Sequence, residues 1–136
     1  MERSVKELAK WRMEKAGKTL SDARELYRLG MYQICLNRSY YAVFYAMQAA
    51  NSLCSFDSRK HSGVISFFQR TFLKTGLLDK ALSHIITETY NYRSRADYED
   101  MYEPDQGDAA LQLENAAVFV SAVSSYLSKS LDAAEQ

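Results

Sequence analysis

The chain has 136 residues, 47% apolar and 25% charged, which suits a soluble globular protein with one hydrophobic core and is too short for two. Its 17 Lys and Arg residues balance its 17 Asp and Glu residues, so no overall basic field drives non-specific nucleic-acid binding, and any RNA or DNA contact needs a local patch. The charged amino-terminal stretch Met1-Glu2-Arg3-Ser4-Val5-Lys6 and the lack of a long apolar run predict neither signal peptide nor membrane span and place the protein in the cytoplasm.

With a single proline, five glycines and no alternating apolar run bounded by turn residues, the chain reads as all-α, one domain over residues 1–136. The first helix runs from about Ser4 to Leu29, with Met13, Ala16, Leu20, Ala23 and Tyr27 on one face and Gly30 as its stop. The second, from about Met31 to Ser55, is apolar around much of its circumference, Ile34 included, and is predicted to be the central or interface helix. Cys35 and Cys54 lie within it without a Cys-x-x-Cys or Cys/His cluster and read as reduced, buried thiols with no redox or zinc role. A polar turn over 55–60 leads into an apolar segment from about His61 to Lys74, ended by Gly76. Asp79 then caps a helix continuing to about Tyr98. After a loop containing Glu103-Pro104-Asp105-Gln106-Gly107, Asp108 is expected to start the last helix, with Leu113, Ala117, Val120, Val123, Leu127 and Leu131 inward. Four long helices and a short one predict a compact up-and-down bundle.

Two segments carry candidate chemistry. Asn37-Arg38-Ser39-Tyr40-Tyr41-Ala42-Val43-Phe44-Tyr45 places a cation and four rings within one helix. Arg38, Tyr41 and Tyr45 share one stripe, Tyr40 and Phe44 a neighbouring one, and a charge there must find partners or face a cleft or an interface. In the second segment, Arg93 is spaced to pair with Asp97 and Arg95 with Glu99, while Tyr98 and Tyr102 fall on the Arg95 face. These are either surface ion pairs or a site in which guanidinium and phenol groups grip a phosphate and stack on a base. His61 follows Arg59 and Lys60 at a helix start, fitting a local polar contact, a basic patch or a contribution to another subunit's site. His84 reads as structural. No metal-ligating cluster, Gly-rich phosphate loop or nucleophile elbow is present, and no cofactor is expected.

The order of four motifs, Asn37-Arg38-x-Tyr40-Tyr41-Ala42-x-Phe44, Lys60-His61-Ser62-Gly63-Val64, Phe72-x-Lys74-Thr75-Gly76 and Arg93-x-x-Ala96-Asp97-Tyr98, resembles the stand-alone prokaryotic branch of the HEPN family over roughly residues 5 to 130. The resemblance implies a four- to five-helix bundle that forms a homodimer and is encoded beside a minimal nucleotidyltransferase in toxin–antitoxin or defence modules. It also implies metal-independent ribonuclease activity for many members, through an arginine separated from a following histidine by four to six intervening residues. Neither histidine here has that arginine, since Phe56, Ser55 and Cys54 stand before His61 and Asp79, Leu78 and Leu77 before His84; seven residues after Arg38 and Arg95 come Tyr45 and Tyr102. Tyrosine, with a pKa of about 10, is a poor general base. The candidate catalytic residues are Arg38, Arg95 and Tyr102, the last by analogy with relatives in which a tyrosine accepts nucleotide groups from the partner. The candidate binding residues are Tyr41, Tyr45, His61, Arg93, Asp97 and Tyr98. The alternative is a non-catalytic helical module that binds RNA, a nucleotide or its protein partner.

Overall fold

The computed structural model describes residues 2–135. Five α-helices follow in chain order, α1 (Arg3–Arg28), α2 (Tyr32–Ser52), α3 (His61–Phe68), α4 (Leu82–Tyr98) and α5 (Gln106–Glu135), and a π-helical turn, Gln69–Leu73, continues α3. No strand occurs among the described residues, and no helix is long and apolar enough to cross a membrane.

The α1–α2 hairpin turns where the sequence expects it. Gly30, at φ +76°, occupies the left-handed position that glycine adopts at little cost. Around it Gly30 N donates to Tyr27 O and Met31 N to Leu26 O, the paired bonds that close a helix end. The second helix is central: it packs on α1, α3, α4 and α5 and buries Leu36, Tyr40, Val43, Phe44 and Met47. These side chains share one core with Leu20 of α1, Phe68 and Phe72 of the α3 segment, Ile86 of α4 and Phe119 of α5, and each taken out of water contributes about 1.5–3 kcal/mol. Ile34 departs from the expected pattern and is exposed, because α2 is contacted on most but not all of its circumference near the hairpin.

Three further departures have local causes. The last helix starts at Gln106, two residues before the expected Asp108. Asp105 Oδ1 accepts the Asp108 N–H at 2.8 Å while Asp108 Oδ2 faces Asp105 N at 3.4 Å, a reciprocal box in which Asp105 is the cap and Asp108 its third-position partner. Cys35 is buried as expected but Cys54 is exposed, since α2 ends at Ser52 and the chain leaves the core. The single short helix after His61 is an α-turn followed by a π-turn, closed by Lys74 N donating to Gln69 O at 2.9 Å, a distortion frequent at functional sites.

The segment between α2 and α3 is held at both ends. Arg12 of α1 donates to Ser52 Oγ at 2.8 Å and lies 3.3 Å from Asp57. Asn51 donates to Val64 O at 3.1 Å, and Phe56 stacks on Phe67 with ring centroids 3.9 Å apart. These contacts fix where α3 begins, and its first residue is His61.

Candidate functional site

On the α2–α4 face, the sequence's two chemistry-bearing segments meet. Arg93 of α4 reaches across to α2 and donates from Nη2 to Tyr41 Oη at 3.1 Å. Its Nε lies 3.0 Å from Asp97 Oδ2, one turn on, yet that buried nitrogen makes no aligned hydrogen bond, so the contact is an ion pair and not a guanidinium fork. Asn37 links the two helices by donating to the same carboxylate oxygen at 3.0 Å and accepting from Arg38 Nε and Nη2 at 3.0 and 2.8 Å. Gln33, a turn earlier on α2, closes the junction by donating to Ala96 O at 2.8 Å.

Two guanidinium groups therefore converge on one phenol. Arg38 and Arg93 place their Cζ atoms 5.1 and 5.2 Å from the Tyr41 ring centroid; Asp97 pairs with Arg93 and reaches Arg38 only through Asn37. Among the described residues Arg38 has no carboxylate within salt-bridge distance, and two cations against one anion leave the cluster positive. The Arg93 side chain is only 13% exposed, but its Nη1 makes no hydrogen bond and is not sealed from solvent. A planar guanidinium held on two edges with its third open is oriented to meet an incoming phosphate or carboxylate oxygen.

His61 lies beside this cluster, its ring 4.2 Å from Phe44 and edge-on to Tyr41 at 5.7 Å. Its Nδ1 is 3.0 Å from Tyr40 Oη. Tyr40 is 0% exposed and burial pushes its pKa up, so the phenol keeps its proton; among the described residues its hydroxyl has no other partner, and donation to Nδ1 is the arrangement that satisfies that buried proton. The ring proton of neutral His61 consequently sits on Nε2, a donor. Burial and the nearby Arg93 charge both lower the His61 pKa, so the neutral form dominates at pH 7. Alongside, α3 and α4 enclose a cleft of about 390 Å³ whose walls include His61, Ser62, Ser66, Gln69, Tyr90 and Asn91.

Of the sequence candidates, Arg38, Tyr41, His61, Arg93, Asp97 and Tyr98 gather here, with Tyr45 next to Tyr41 at 5.8 Å. Tyr98 stands with Arg93, 5.4 Å over its guanidinium and 3.5 Å from Nη2, and not on the Arg95 face where helical spacing places it, because Arg93 extends along α4 towards the helix end. Arg95 and Tyr102 form a separate group. The guanidinium of Arg95 lies 4.1 Å over the Tyr102 ring and pairs with Glu99 at 3.4 Å. The Tyr102 hydroxyl donates to Asp108 at 2.9 Å, and burial together with that carboxylate raises its pKa, which keeps the phenol protonated. The sequence reading missed Asn37 as the bridge and Tyr40 as the partner of His61. Both lie within the aromatic motif, but their roles depend on segments 60 and 21 residues away in the chain. Among the described residues no three His, Cys, Asp or Glu side chains converge to hold a metal ion.

The HEPN domain model matches residues 9–126. The chain is 36% identical over 115 residues to the protein named "Putative toxin MJ0142" of Methanocaldococcus jannaschii, covering 85% of this chain and 78% of that one. It is 29% identical over 131 residues to "Putative toxin MJ0605" of the same organism, covering 96% and 97%. A UPF0332 protein of Thermotoga maritima is 31% identical over 113 residues, covering 83% and 85%.

Proposed function

The chain belongs to the HEPN domain family, and we propose that it is the toxin-like component of a nucleotidyltransferase-linked toxin–antitoxin or defence module, in which it grips RNA through the Arg38–Arg93 cluster. The toxin names of two relatives support the module. The observation that carries the site is the convergence of two guanidiniums from different helices on Tyr41, with one carboxylate, paired with Arg93, beside them. Arg38 is held by Asn37 and not by a second carboxylate, so the cluster keeps a positive charge that an arriving anion would neutralise. Arg93 Nη1 and the Nε2–H of His61 supply donors to phosphate oxygens. The cleft beside His61, with Ile65, Ile86 and Tyr90 among its walls and Ser62, Gln69 and Asn91 as polar groups, offers room for a nucleoside next to that phosphate, with Tyr90 as a stacking face. The protein acts as a cytoplasmic homodimer, and its nucleotidyltransferase partner is encoded nearby.

A second reading, cleavage without a metal, is favoured by the neutral imidazole beside Arg93. Arginine would stabilise charge developing on the phosphate, and His61 would exchange a proton with the 2′-hydroxyl or the leaving oxygen. Taking a proton at Nε2 requires the ring proton to move to Nδ1, where Tyr40 now donates, so binding is the better supported role. Gel analysis of RNA incubated with excess protein in EDTA separates the two. Intact RNA in a complex that is lost in Arg93→Gln supports binding, cleavage lost in both Arg93→Gln and His61→Asn supports the nuclease, and neither complex nor cleavage defeats the site.

A further inference from the structure

The Arg38–Arg93 cluster is one end of a longer feature that crosses three helices. Lys15 of α1 places its ammonium 4.2 Å from the Tyr45 ring centroid and 5.5 Å from that of Trp11. Tyr45 is 5.8 Å from Tyr41, which carries both guanidiniums, and Tyr98 covers Arg93 from the far side. Rings and cations thus run in unbroken contact from Trp11 through Lys15, Tyr45, Tyr41 and Arg93 to Tyr98. The two end rings are the open ones, Trp11 at 59% and Tyr98 at 73% exposure, whereas Tyr41, Tyr45 and Lys15 are half-buried. Among the described residues neither Lys15 nor Arg38 has a carboxylate partner within salt-bridge distance; Lys18 lies two turns beyond Trp11, with Glu14 between them offsetting part of the positive charge.

We propose that this ladder is a track for single-stranded RNA, with bases stacked on Trp11 and Tyr98 and the intervening phosphates on Lys15, Arg38 and Arg93. The proposal rests on the phosphate-gripping role of Arg93 argued above and extends it to a substrate form and a path. Alternation of π faces with cations is what a flexible polyanion with a base at every step can satisfy throughout. A second copy of the chain fits less well. A two-fold interface sets a patch against itself, and here it would bring Lys15, Arg38 and Arg93 towards their own copies, a like-charge juxtaposition that disfavours association. With neighbouring helix axes 8–10 Å apart, two interhelical steps make the track about 20 Å long, so a mononucleotide reaches one end and only an oligonucleotide reaches both.

The sequence contains one tryptophan, so emission from Trp11 reports occupancy of the distal end directly. The experiment titrates the full chain at low salt in EDTA with fluorescein-labelled 2′-O-methyl oligouridylate of about ten nucleotides, which cannot be cleaved through its 2′ position, reading anisotropy and, with unlabelled RNA, Trp11 fluorescence. Uridine monophosphate is titrated in parallel. The expected result is saturable quenching by the oligonucleotide at the affinity that anisotropy gives, no quenching by the mononucleotide, and weakening of oligonucleotide binding of roughly tenfold in Trp11→Ala and a smaller loss in Lys15→Ala. Trp11 is exposed and Lys15 half-buried against Tyr45, and circular dichroism checks that the variants fold. RNA that binds without quenching Trp11 and is indifferent to both substitutions overturns the track while leaving the Arg93 site standing. Absence of binding by anisotropy defeats both. Quenching that follows protein concentration without RNA shows that a second copy covers this face and overturns the proposal.

Discussion

Replacing Tyr40 by Phe removes one oxygen and tests how His61 is set. In the native protein the buried Tyr40 hydroxyl donates to His61 Nδ1 at 3.0 Å, a bond available only while that nitrogen carries a lone pair. Protonating the ring leaves the phenol proton without an acceptor in a site closed to water, so the bond favours neutral imidazole and acts in the same direction as burial and the Arg93 charge. A hydrogen bond of this kind is worth about 1 kcal/mol net. Since about 1.4 kcal/mol is a tenfold change in proton affinity, His61 in Tyr40→Phe is expected to bind a proton about fivefold more tightly. Ring packing against Tyr41, Phe44 and Tyr90 survives the substitution, so the fold is expected to persist with a loss of about 1 kcal/mol. Long-range ¹H–¹⁵N correlation spectra across a pH titration measure both tautomer and midpoint, and the sequence has only two histidines to assign. Native His61 should show the Nε2–H tautomer and the variant a higher midpoint. An Nδ1–H tautomer in the native protein, or an unmoved midpoint in the variant, would refute the assignment of donor and acceptor.

Other outcomes follow from the same contacts. Because the folded-state pKa of His61 is lowered, the unfolded chain binds the extra proton first, and the fold should lose stability as pH falls below the unfolded histidine value of about 6.5. That slope should flatten in His61→Asn, and identical Tm-against-pH curves for the two proteins would contradict it. Ellman's reagent should titrate one thiol in the native protein, Cys54, and two after denaturation, since Cys35 is buried; burial raises the Cys54 pKa as well, so its reaction at pH 7 should be slower than that of a free cysteine. Two reactive thiols in the native state would show that the hairpin end of α2 opens. Incubation with a nucleotidyltransferase partner and ATP should modify Tyr102 if that phenol is the nucleotide acceptor, with Asp108, 2.9 Å away, taking its proton; peptide mass spectrometry finding the adduct elsewhere would remove Tyr102 from the site.

The helices were legible because their apolar spacing is regular and Gly30 has a mechanical role that few other residues fill. The centrality of α2 was legible for a related reason, its lack of a polar face over most of two turns. What the sequence hid depends on where helices end and how they cross. Cys54 follows an apolar run yet lies past the last turn of α2, and the Asp-x-x-Asp box gives no sign in sequence of which aspartate is the cap. Pairing of Arg93 with Asp97 is a local relation and was readable. Its bond to Tyr41, 52 residues away, and the bond between Tyr40 and His61 exist only because α2 crosses both α3 and α4. Tyr98 is instructive for the opposite reason: helical geometry assigns it to Arg95, but a long arginine reaching towards its helix end attracts a ring that the wheel places elsewhere.

A phosphate of RNA held by Arg38 and Arg93, as proposed, makes binding depend on salt, so the decisive measurement is the salt dependence of single-stranded RNA binding by the native protein and by Arg38→Gln/Arg93→Gln. Loss of two charge-assisted contacts should weaken binding by about tenfold or more at low salt, and the slope of log K against log salt should become shallower by about 1.4, with helical content unchanged. Equal affinities and equal slopes for the two proteins would contradict the claim.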